Sequence, residues 1–289
     1  MHSTVAAPAP PAPPVLLADL TWPEVRERAR LGAVVLLPLG AFEQHGPGMT
    51  LATDTQLVAE LCRRAAARLS PGVLVAPPLP WGLSDAHLGF PGTISLHPET
   101  FYALIRDVIA SLLGHGLRRV LLVNGHGGNQ AASELACVRL RRELAVELVG
   151  AVTYVTLTSL DATELSHAGA LETSVALALA PEVVKVERLV PAVPRDVGPD
   201  LAPVMIPRAV HEVSGTGHLG DPRQASVERG QTVVEGVLDR LCALITTFST
   251  DAAAFAPGVP GAATRPADAL GQADQSRRVA QRPRRAPGS

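Results

Sequence analysis

Ala33-Val34-Val35-Leu36-Leu37-Pro38-Leu39-Gly40 is an apolar run ended by glycine, and directly behind it stands the polar stretch Ala41-Phe42-Glu43-Gln44-His45-Gly46-Pro47. A short run of this kind fits a strand buried on both faces. Working outward, Leu57, Val58, Leu61 and Cys62 recur at helical spacing and predict a helix over 55–69. Val73-Leu74-Val75-Ala76 reads as a second strand, and Leu104, Ile105, Val108 and Leu112 line one face of a helix over 98–114. Arg119-Val120-Leu121-Leu122-Val123 is a third strand, followed by a helix over 130–144 and a fourth strand within 147–157. Helices over 172–179 and 226–247 close the pattern. Strands alternating with helices define an α/β domain with a mostly parallel sheet.

Composition sets the bounds. The chain has 289 residues, of which 47% are hydrophobic and only 3% aromatic, so its core is built from Ala, Val and Leu. The formal charge of −2, from 25 basic and 27 acidic residues, lacks the basic footprint of a nucleic-acid binder. No stretch reaches the length of uncharged apolar sequence that a membrane span needs. The N-terminus has no basic region followed by a long apolar segment, so no signal peptide is expected. Cys62, Cys137 and Cys242 are widely spaced, the pattern of reduced thiols, and the expected location is cytoplasmic. A Pro/Ala-rich arm is expected over 1–14, one domain over 15–250, and an extended tail over 251–289 that ends in an Arg-rich segment.

The polar clusters fall where strands end, the edge at which ligands collect in open α/β sheets. Glu43 and His45 are two apart, so an extended backbone points both side chains to one side. Asp54 stands at a helix start, where it suits capping as well as binding. His126 follows the third strand between glycines, and His167 precedes a helix whose first turn holds Glu172. Histidines mixed with carboxylates suit zinc, manganese or iron, and a carboxylate is able to bridge two metals. Such a centre activates water for hydrolysis of an amide or related C–N bond, with His167 as a proton carrier. No P-loop is possible because Lys185 is the only lysine, and no G-x-S-x-G elbow exists.

These segments resemble the creatininase (creatinine amidohydrolase) family. The matching blocks are collinear: Leu37 to Pro47 with Thr53-Asp54, Gly82-Leu83-Ser84-Asp85-Ala86-His87 with Phe90 to Leu96, Asn124 to Asn129, His167 to Ser174, and Gly217 to Pro222. The resemblance implies a three-layer α/β/α fold, a homohexamer, and two divalent metal ions per subunit, zinc first, with manganese or iron as alternatives. It implies that Glu43 and His126 bind one metal, His45 the other, that Asp54 bridges, and that His167 transfers a proton. Creatinine-hydrolysing members carry Tyr-Glu where this chain has Gly127-Gly128, so Glu172 is expected to supply the missing carboxylate. Gly48 stands in place of a histidine and is expected to alter contacts at the site mouth. The substrate is a small molecule or a short peptide: members with the Gly-Gly form include the peptidase of mycofactocin maturation. The alternatives of another kind are an inactive binding or assembly module on the same fold and a thiol-dependent amidase.

Overall fold

Strand β1 (Val34–Leu39) has all six residues buried. The computed structural model describes residues 14–144, 146, 148–158, 160, 166–195 and 208–250. The arm expected over 1–14, Pro14 apart, and the tail expected over 251–289 lie outside the described residues. Strand β2 (Val73–Val75) pairs with one edge of β1 and β3 (Arg119–Asn124) with the other, while β4 (Leu148–Thr153) pairs with β3. All pairs are parallel, in the order β2-β1-β3-β4.

Period-two alternation divides the core. Val34 and Leu36 face Leu57, Val58 and Leu61 of α2 (Thr53–Arg68), with α5 (Ala170–Leu179) and α7 (Val227–Thr250) in the same layer. Val35, Leu37 and Leu39 face the other way, onto Phe101, Ile105 and Ile109 of α3 (Pro98–Gly114) and Leu140 of α4 (Gln130–Glu143). Helix α1 (Trp22–Arg30) packs Val25 and Ala29 on that second layer, and α6 (Val210–Val213) is a single turn. The result is the expected α/β/α arrangement. Helix α2 begins at Thr53 and so takes in Asp54, which the apolar spacing alone leaves at its threshold.

Pro38 sits in this central strand without an N–H. Pairing of β1 with β2 stops at Leu36 opposite Val75, and the Pro38 carbonyl accepts from the Leu79 amide at 2.9 Å. The missing donor therefore faces a place where no ladder partner needs it. The register then decides where the site forms. Leu39 lies opposite Asn124, and Asn124 opposite Thr153, so β1, β3 and β4 release their chains from one level edge.

Candidate active site

Each polar side chain is delivered to that edge by a separate device. Beyond β1, the Glu43 amide donates to the Leu51 carbonyl at 3.0 Å, which folds the 43–51 segment back on itself. At the end of β3, the Asn124 side chain accepts from the His126 amide at 3.1 Å and donates to the His126 carbonyl at 2.7 Å. Gly125 lets this turn lie on α2: a Cβ there would stand 2.9 Å from the Asp54 carbonyl and 2.8 Å from Val58 Cβ. His126 is thereby set beside the first turn of α2, where Asp54 caps nothing and turns inward. Before α5, Ala168 adopts a left-handed φ of 50°, and its amide donates to Glu172 Oε2 at 2.6 Å. Glu172 thus performs its helix-start role with one oxygen and keeps the other for the site.

The structure brings all six sequence-selected residues together. His45 Nε2 lies 3.2 Å from Asp54 Oδ1 and 3.7 Å from Glu172 Oε1. His126 Nδ1 lies 3.3 Å from Asp54 Oδ2, and His126 Nε2 lies 3.4 Å from Glu43 Oε2. His167 Nδ1 is 3.7 Å from Glu43 Oε1. Three groupings have ligand atoms within 4.8 Å of one another: Glu43–Asp54–His126, His45–Asp54–Glu172 and Glu43–His45–His167. Asp54 belongs to the first two. A cavity of about 260 Å³ opens over them, with Leu171, Val175 and Val233 as an apolar wall.

The donor set asks for positive charge. His45 Nδ1 faces the Glu43 carbonyl at 3.1 Å, and His126 Nε2 faces the Leu83 carbonyl at 3.0 Å. A carbonyl only accepts, so each of these nitrogens carries a hydrogen, and the opposite nitrogen, turned to the carboxylates, is the one able to ligate once the ring is neutral. Anchoring of one ring nitrogen by backbone is the usual support of a metal-bound histidine. Glu43 Oε1 and Oε2 and Asp54 Oδ2 are buried without a hydrogen-bond partner. Buried carboxylates are tolerated only when paired or cation-bound. The residues present therefore fit divalent metal ions.

Electrostatics describe the same demand. Burial, reinforced by the Asp54 charge, pushes the Glu43 carboxyl up to about 7. Burial opposes charge on Asp54 as well, yet His45 and His126 hold its carboxyl well below the usual range. Burial lowers His126, but Asp54 and Glu43 outweigh it and raise the imidazole to about 9. Burial, with His45 and His87 nearby, drives His167 well below its ordinary value. His167 is therefore held neutral beside Glu43.

Two participants escaped the sequence reading. Gln44 is buried and hydrogen-bonds in four directions, and His87 lines the cavity with Nε2 3.4 Å from Glu43 Oε1. The block Gly82 to His87 marked the second; nothing local marked the first. Gly48 departs from expectation. It is not at the mouth, since a Cβ there would meet Leu189 Cδ2 at 2.4 Å. Gly128 is more decisive: a Cβ would stand 2.2 Å from the Leu83 carbonyl and 2.5 Å from His126 Nε2. A side chain there requires the Leu83 backbone to move, whereas at Gly127 nothing lies within 4 Å. None of the three cysteines lines the cavity, and burial pushes the Cys62 and Cys137 thiols up, the latter to about 12. A thiol nucleophile is thus left without support.

Fold and site together define an α/β protein with a clustered His/carboxylate centre fit for divalent metals. The sequence profile of the creatininase family (creatinine amidohydrolase) matches residues 18–245, and the chain belongs to that family. It is 32% identical to the creatinine amidohydrolase of Pseudomonas putida over 245 residues, 76% of this chain and 92% of that protein. It is 34% identical to the mycofactocin precursor peptide peptidase of Mycobacterium ulcerans over 229 residues, 76% of this chain and 83% of that one. Among solved structures, a creatininase described with Mn superposes with a TM-score of 0.71 at 30% identity, covering 82% of this chain and 99% of its own. A mutant creatininase of Zn-Zn type gives 0.69 at 31% identity, covering 82% and 98%. These relatives are hydrolases. Among the described residues, no helix is long and apolar enough to cross a membrane.

Proposed function

We propose that this chain is a metal-dependent amidohydrolase that cleaves a C–N bond of an amide or cyclic amide. In this reading Glu43, Asp54 and His126 hold one divalent ion, and His45, Asp54 and Glu172 hold the other. Zinc is the first choice, with manganese or iron as alternatives. The observation that carries the reading is the position of Asp54, common to two ligand groupings whose other members face it from opposite sides. When bound, such ions lower the pKa of water toward neutrality and stabilise negative charge on a carbonyl oxygen. His167 Nδ1 takes the proton from the attacking water and returns it to the leaving nitrogen, so that a carboxylic acid and an amine result, which exchange a proton to leave as carboxylate and ammonium. The apolar wall of Leu171, Val175 and Val233 excludes water from the reacting group.

A second reading, cleavage of a precursor peptide, is favoured by Gly127. The open space over that glycine admits a larger substrate than an aromatic side chain there would allow. On family resemblance we further assign a homohexamer located in the cytoplasm, with 15–250 as the catalytic domain. The deciding experiment is turnover by zinc- or manganese-loaded protein on creatinine, other cyclic amides and peptide amides. Hydrolysis of at least one class is expected. A metal-loaded protein inert toward all of them overturns the proposal in favour of a binding module.

A further inference from the structure

Four imidazoles surround Glu43, and they do not present the same atom to it. His45 and His126 each tie one nitrogen to a backbone carbonyl, His126 through the same Nε2 that stands 3.4 Å from Glu43. His167 follows suit: its Nε2 lies 2.8 Å from the Gln44 carbonyl, which makes Nε2 the donor and leaves Nδ1 bare. His87 has no carbonyl partner. Its Nδ1 instead meets the Gln44 side-chain nitrogen at 3.0 Å.

The orientation of that amide follows from its other contacts. Gln44 Oε1 accepts from the Gly46 amide at 2.9 Å, and Gln44 Nε2 donates to the Gly217 carbonyl at 2.7 Å. Both partners are backbone groups of unambiguous role, so reversing the amide would lose both bonds. One Nε2 hydrogen goes to Gly217. The second has two ring nitrogens in reach, His87 Nδ1 and His167 Nε2, each at 3.0 Å. His167 Nε2 already carries a hydrogen and cannot accept another. The second Gln44 hydrogen therefore goes to His87 Nδ1, and the neutral His87 ring keeps its own hydrogen on Nε2.

We propose that residue 44 sets both tautomers, its main-chain carbonyl leaving His167 with a bare Nδ1 and its side-chain amide making Gln44 the positioning residue through which His87 presents an N–H at Nε2 to the cavity. His87 is then no metal ligand, despite standing 3.4 Å from Glu43. It is a hydrogen-bond donor that retains its proton. Neither ring could exchange roles without breaking a contact to Gln44. Outer partners that orient a metal-bound histidine are worth roughly 10- to 100-fold in affinity or activity, and the same scale is expected for Gln44 and the two rings it orients. This rests on the amidohydrolase reading for the use of the two rings, but the tautomers themselves are independent of turnover.

Neutron diffraction from deuterium-exchanged crystals of the zinc-loaded protein reads the hydrogens directly. Deuterium is expected on Nε2 of both His87 and His167 and on neither Nδ1; deuterium on Nδ1 of either ring overturns the proposal. In Gln44→Glu, which keeps the shape and removes the donor, the His87 hydrogen moves to Nδ1. The kcat then falls roughly 10- to 100-fold with metal content unchanged. If the variant does not fold, the wild-type neutron map alone decides. Expected tautomers in a protein without amidase turnover would sink the functional reading and leave this one standing.

Discussion

Glu172 turns its Oε1 to within 3.7 Å of His45 Nε2, although one opens helix α5 and the other follows β1. In the proposed reading, Glu172 supplies from another element the carboxylate missing after His126. Substituting Glu172→Gln retains an oxygen for the Ala168 amide, so the helix start survives. One metal should weaken by more than the roughly 10- to 100-fold typical of outer partners, while the ion on the Glu43 side remains. Metal analysis after dialysis should give about one ion per chain. Gly128→Glu on that background should not restore the second ion, because its Cβ collides with the Leu83 carbonyl at 2.2 Å.

Gly125 and Gly127 provide an internal contrast. Gly125→Ala pushes a methyl group onto Val58 and the Asp54 carbonyl, an overpacking that costs about 1–3 kcal/mol. The melting temperature should fall by several degrees, on a scale of roughly 2–4 °C per kcal/mol. Gly127→Ala enters open space and should leave the melting temperature unchanged. Gly127→Trp should raise KM for bulky peptide amides far more than for small cyclic ones.

Metal uptake should release protons. The folded Glu43 carboxyl is raised to about 7 and the folded His126 imidazole to about 9, both above their unfolded values. Each contributes stability that is full below its unfolded pKa and is lost as pH rises through its folded one. Chelator-treated protein should therefore lose melting temperature between about pH 5 and pH 9. Asp54, shifted the other way, acts only on the acid side. Ligation needs ionised Glu43 and neutral His45 and His126, so affinity should rise over that range with the release of about two to three protons. Calorimetry in buffers of different ionisation enthalpy counts them.

The thiols should be dispensable. Cys62 and Cys137 are buried in the two aliphatic layers, and Cys242 lies against the Ala65 carbonyl. Iodoacetamide applied to native protein should leave turnover unchanged; an inactivation that substrate prevents would count against the metal-centred reading.

How much of this was legible beforehand differs by residue. Val34–Leu39 declared its strand because a doubly covered strand needs apolar side chains on both faces. Glu43, His45 and His126 declared themselves as polar groups at the ends of such strands. Asp54 did not, since capping and ligation ask for the same residue at the same helical position; only the inward turn of its side chain separates them. Gln44 was illegible because its partners, Gly46, His87, His167 and Gly217, meet only in the folded chain. Gly48 misled for the same reason: its neighbour is Leu189, which no local pattern predicts.

The central claim is that Asp54 joins two metal sites, and the most direct measurement is metal stoichiometry of wild-type and Asp54→Asn protein purified side by side. The account predicts about two divalent ions per chain in the wild type and almost none in the variant, with the fold retained by circular dichroism. A wild type without transition metal, or an Asp54→Asn protein that keeps both ions, would contradict it.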